Sequence, residues 1–169
     1  MASALSHLQR RGGYTLRRLA SDIGVHPSYI SRILNGERDP SWCITAGLAV
    51  ACAADPADLL PLWNTVHNVA TPLPATPAEA ADRYRAFLRG LRLSAAAPTP
   101  HAICEASDNT LTPTDVTRAL EGPGIPDWPT TCHLVLVLRG RPADLHPIWR
   151  TASTPPAARV TTISAGAFG

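Results

Sequence analysis

The chain has 169 residues, 45% of them hydrophobic and 17% charged. That is enough apolar material to bury a core in one medium domain or two small ones, which argues against a disordered chain. The net charge of +2 singles out no partner, and all fifteen basic residues are arginines, a bias that fits the coding habits of a GC-rich genome.

No apolar run approaches the ~20 residues of a membrane span, and the N-terminus lacks the apolar region of a signal peptide. A cytoplasmic protein with no membrane partner is therefore expected. Cys43, Cys52, Cys104 and Cys132 form no CxxC pair and read as small buried apolar residues. His101, Cys104, Cys132 and His133 match no common zinc spacing, so neither a metal nor another cofactor is expected.

In chain order, Ser3 to Arg10 carries Leu5 and Leu8 at helical spacing and is stopped by Gly12 and Gly13. Thr15 is placed to cap a helix with Leu16, Leu19, Ala20 and Ile23 on one face, ended by Gly24. After a tight turn, Pro27 opens a helix that turns Ile30, Ile33 and Leu34 inward and stops at Gly36. Trp42 to Ala53 is expected to be a strongly apolar, buried helix. Asp55 caps a last one from Pro56 to Val66. A Pro-rich connector, 67–76, leads to Thr76-Pro77-Ala78-Glu79, a capping-box pattern with proline at the first helical position. Beyond Thr151 the composition turns to Pro, Ala, Ser, Thr and Gly, so 152–169 reads as a flexible tail.

The chain also repeats itself. Trp42 falls on Trp128, an offset of 86 residues, and at that offset Pro27 meets Pro113 and Ile30-Ser31-Arg32 meets Val116-Thr117-Arg118. Gly36 meets Gly122, Pro40 meets Pro126, and Asp55-Pro56-Ala57-Asp58-Leu59 meets Arg141-Pro142-Ala143-Asp144-Leu145. Pro61 and Trp63 meet Pro147 and Trp149 without a gap. A tandem duplication is expected, as an all-α chain of two five-helix domains at 1–66 and 77–151. In the second, Ile103, Ala106, Leu111, Val116, Leu120, Leu134, Leu136, Leu145 and Trp149 keep the core pattern.

The segment Thr15-Leu16-Arg17-Arg18-Leu19-Ala20, then Gly24, then Pro27-Ser28-Tyr29-Ile30-Ser31-Arg32 and the closing Asn35-Gly36, resembles the Xre/Cro-type (lambda-repressor-like) helix-turn-helix family over about sixty residues. The resemblance implies double-stranded DNA as partner and transcriptional regulation as function. In such a fold the helix 27–34 enters the major groove. Ser28, Tyr29 and Arg32 then sit at base-contacting positions, with His26 either a further contact or a simple N-cap. Arg32 is suited to the O6 and N7 of guanine. Thr15, Arg17, Asn35 and Arg38 are placed for phosphates, together with the free N–H groups at the start of the second helix. Leu16 departs from the family, many of whose members carry Gln there, and so removes one donor.

In the second copy Asp115 replaces Tyr29 and Glu121 replaces Asn35, which sets two carboxylates against a phosphate backbone. Thr112, Thr114, Asp115 and Arg118 are its candidate contacts. This copy either docks beside the first on a composite site or binds a protein. Ten connector residues in polyproline geometry reach roughly 30 Å, against ~34 Å between same-face half-sites. The apolar strip at Leu60 allows a homodimer seam. A helix-turn-helix adaptor is the alternative function. No nucleophile and base pair or phosphate loop points to an enzyme or a small-molecule substrate.

Overall fold

The computed structural model describes residues 1–154, which are all-helical, with no strand among them. Ten α-helices follow in order: α1 (Ala2–Arg11), α2 (Leu16–Ile23), α3 (Pro27–Leu34), α4 (Trp42–Ala51), α5 (Leu60–Val66), α6 (Pro77–Ser94), α7 (Pro100–Ala106), α8 (Pro113–Glu121), α9 (Trp128–Val137) and α10 (Pro142–Ala152). The 3₁₀ turn Pro56–Asp58 precedes α5. None of these helices is long and apolar enough to cross a membrane. The tail expected at 152–169 lies, from residue 155 onward, outside the described residues.

Local chemistry sets most of the helix ends. Thr15, Ser41, Thr76, Thr99, Thr112 and Asp127 each accept a backbone N–H of the first helical turn through the side-chain oxygen, satisfying a donor that the helix itself leaves orphaned. At the Pro77 start the box is shifted by one residue. Glu79 N–H donates to Thr76 Oγ1, while the Glu79 carboxylate accepts from Ala75 N–H.

Two boundaries differ from the sequence reading. Helix α4 stops at Ala51, because Ala53 turns into the left-handed region. The segment expected as one helix from Pro56 to Val66 is a 3₁₀ turn followed by α5. Its counterpart in the repeat register, α10, is continuous. Nor is α4 buried all round. Thr45, Leu48 and Ala49 face inward, whereas Val50 is 65% exposed.

The apolar faces form two clusters. One gathers Leu5, Leu8, Leu19, Ile30, Ile33, Leu48 and Leu59; the other gathers Tyr84, Leu88, Ile103, Val116, Leu120, Leu134, Leu138 and Leu145. Each fully buried aliphatic side chain contributes about 1.5–3 kcal/mol relative to exposure. Two expected core residues of the second cluster lie outside it: Ala106, the last residue of α7, is exposed, and Leu136 is 57% exposed. Leu136 is two residues from Leu134 and Leu138, which puts it on the opposite side of α9. Val50, its mate in the repeat, is exposed in the same way on α4.

Helix α6 joins the clusters, packing against α1, the 3₁₀ turn, α5, α8 and α10. Leu93 reaches the first cluster, and Leu62 of α5 belongs to the second. Arg89 on α6 grips Asp58 through Nη2 at 2.7 Å and Nε at 2.8 Å. Buried Tyr84 meets Thr131 at 2.9 Å, and its burial pushes the phenol pKa up to about 12. The same indole bond occurs in both halves: Trp63 Nε1 donates to the Pro40 carbonyl at 3.0 Å, and Trp149 Nε1 donates to that of Pro126 at 2.9 Å.

His7 on α1 is half-buried. Its Nε2 is buried without a hydrogen-bond partner. Burial, reinforced by Arg11, Arg10 and Arg92, holds its pKa below the usual 6.5. The unfolded chain therefore takes up a proton at His7 more readily than the folded one. Stability is expected to fall as pH drops through 6.5 and to return above it. Thermal midpoints measured across that range should show a smaller slope in His7→Gln than in the parent; equal slopes would clear His7 of the effect.

Candidate nucleic-acid interface

Helices α2 and α3 are set by the turn between them. Gly24 adopts φ 71° and ψ 36°, its N–H bonds to Ser21, and the N–H of Val25 closes back on the Ala20 carbonyl at 2.9 Å. This pair of bonds ends a helix tightly, and the left-handed residue within it favours glycine. A Cβ at Gly24 would meet nothing within 4 Å, so conformation alone makes the demand. Gly24→Ala is expected to cost about 1–2 kcal/mol, measured by chemical denaturation. A neutral result would mean that the turn relaxes.

With the turn fixed, α3 buries Ile30 and Ile33 completely and leaves Ser28 and Arg32 exposed, one helical turn apart. Arg32 has no ion-pair partner among the described residues. Tyr29 is half-buried against the first cluster, with the Arg38 guanidinium 5.3 Å from its ring centre. Ser31 is half-buried and lines a cleft of about 320 Å³ with Ser6, Gln9, Arg10 and Asn35.

His26 is the N-cap of α3. Ser28 N–H donates to its Nδ1 at 3.3 Å, and Ser28 Oγ lies 2.7 Å from the same nitrogen. With Nδ1 accepting, the neutral ring carries its proton on Nε2 and keeps one donor free. Thr15 Oγ1 caps α2 by accepting from Arg18 N–H at 3.2 Å, which leaves the hydroxyl proton available. Arg17 is exposed beside it. Arg18 is drawn to Asp22 at 3.8 Å and lies over the Tyr14 ring. Asn35 donates its amide to Glu37 at 3.3 Å. Uncommitted donors on this face therefore include Arg17 on α2 and Arg32 on α3, beside the Thr15 hydroxyl and His26 Nε2. Gln9 and Ser6, which line the cleft, were not legible from sequence, because only the packing of α1 across α3 brings them there.

The α8 face is different. Thr112 Oγ1 accepts Asp115 N–H at 3.2 Å, and the Asp115 carboxylate accepts Thr112 N–H at 3.2 Å and its hydroxyl at 2.7 Å. Both side chains are spent on the capping box. Thr114, Thr117 and Arg118 remain outward, along a shallow cleft closed by Gly122 and Pro123. Among the described residues no group of three His, Cys, Asp or Glu could hold a metal; His101 instead faces Glu105 at 3.4 Å.

The chain thus presents an all-helical fold whose first half turns a two-helix unit, α2 and α3, outward. Residues 1–62 match a protein family described as a helix-turn-helix domain, and this match supports DNA binding and a role in transcription for that part of the chain. No curated protein and no solved structure matches it.

Proposed function

We propose that the chain is a bacterial, Xre-type transcriptional regulator that binds a specific double-stranded DNA sequence, with α3 reading the major groove. The observation that carries this reading is the pair of exposed side chains Ser28 and Arg32, one turn apart on a helix held by the Gly24 turn. Arg32 recognises a guanine by two hydrogen bonds, and the exposed His26 adds a further donor through Nε2. Arg17, Thr15, Asn35 and Arg38 grip the backbone, and Tyr29, stiffened by Arg38, packs at the groove edge.

The rest of the chain is read as a diverged second copy, in domains 1–66 and 77–151 joined by 67–76. The recurrence of the Trp-to-Pro carbonyl bond in both halves supports a tandem duplication. The mutual commitment of Thr112 and Asp115 favours a second copy that contributes little to base readout and is freer to meet a protein partner or a second copy of the chain. Work on DNA places the protein in the cytoplasm, on the nucleoid.

The test is selection from a random duplex library at two salt concentrations. Enrichment of one motif that persists at the higher salt is expected. Weak binding without enrichment, lost in modest salt, would overturn the regulator reading in favour of an adaptor.

A further inference from the structure

We infer that the groove between α5 and α10 is a binding site for a small amphipathic organic anion. The groove has a volume of about 620 Å³, within the ~300–1,000 Å³ typical of small-molecule sites. Helix α6 forms its floor, α5 and α10 its walls, and residues of the connector close one end. Its apolar lining comes from Phe87 on the floor, Leu60 on one wall and Ile148 on the other. Leu60 is 38% exposed, and Val69 and Leu73 at the closed end are 45% and 63% exposed. A ligand with an apolar body would cover this surface.

The charges in the groove select the sign of the ligand. Its two carboxylates are both neutralised by arginines: Asp144 by Arg141 at 3.1 Å, and Asp82 by Arg85 at 3.5 Å. Arg89 is held by Asp58. Arg83 is the surplus. It is half-buried in the lining, donates Nη1 to the Pro72 carbonyl, and has no carboxylate partner among the described residues. A half-buried guanidinium beside an apolar floor favours a carboxylate or another small anion, which meets its planar fork by charge-assisted hydrogen bonds. The same arginine and Asn64, which donates to Thr71 at 3.0 Å, tie the connector to the groove.

The site draws on both halves of the chain: α5 from the first, α6 and α10 from the second. It is independent of the DNA reading and is tested without DNA. Full-length protein is titrated calorimetrically with naphthoate and with naphthamide, its uncharged isostere. Naphthoate is expected to bind one-to-one and about tenfold tighter than the amide. Arg83→Gln should erase that preference, Arg83→Lys should keep most of it, and Ala57→Trp, at an exposed rim position, should block both compounds. Thermal unfolding of each variant checks that it folds. Equal affinity for the two compounds, binding of neither, a preference that survives Arg83→Gln, or binding untouched by Ala57→Trp would each overturn the inference.

Discussion

Replacing Arg32 by alanine is expected to remove sequence discrimination while leaving the fold intact. The side chain is exposed and has no ion-pair partner among the described residues, so its loss should change stability by less than about 0.5 kcal/mol. A bidentate arginine–guanine contact is worth about 1–3 kcal/mol of discrimination, or roughly 5- to 150-fold in affinity for the preferred site. Binding to unrelated duplex should hardly change. Arg17→Ala makes the contrast, because a phosphate contact weakens every sequence alike and lowers the salt slope by about one. Competition binding against a scrambled duplex separates the two. If Arg32→Ala weakened all duplexes equally, Arg32 would be a phosphate ligand and the proposed readout would be wrong.

The second large effect concerns the joint rather than the reading face. Gly90 sits inside α6, where alanine is ordinarily favoured by about 1 kcal/mol. Here a Cβ would collide with the backbone carbonyl of Asp58 and press on the Leu62 side chain at 3.2 Å. A backbone oxygen cannot swing aside as a side-chain tip can. Helix α6 would have to move off the 3₁₀ turn, stretching the 2.7 Å contact between Arg89 and Asp58. Gly90→Ala is therefore expected to destabilise by about 1–3 kcal/mol, against the helix-propensity trend, as measured by urea denaturation. A stabilised variant would show that the two halves are not packed through this contact.

Much of the fold was legible because it rests on short-range chemistry. Thr15, Gly24 and Pro27 delimit α2 and α3 where the sequence places them, since a cap or a left-handed turn needs only the residues next to it. The inward positions of Ile30 and Ile33 follow from helical spacing alone. The candidate site was less legible. The resemblance put Tyr29 at a base-contacting position with Ser28 and Arg32, yet Tyr29 is half-buried. Tyr29 packs against the first cluster with Arg38 over its ring, and α1 lies close to Ser31 across a cleft. Thr112 and Asp115 read as contacts facing DNA, but three residues apart at a helix start they satisfy each other first.

What the sequence by itself determined is the helical class of the chain, its punctuation by caps and glycines, and the face that α3 turns outward. These are set by period and by neighbours within a turn. Only the tertiary structure decided how the halves meet. Arg89 finds Asp58, 31 residues away, and Tyr84 finds Thr131, 47 residues away. It also decided that α5, α6 and α10 enclose a groove with one unneutralised arginine. Pairings at such distances leave no periodic mark on the chain, because they depend on which faces are still uncovered once every local helix has formed.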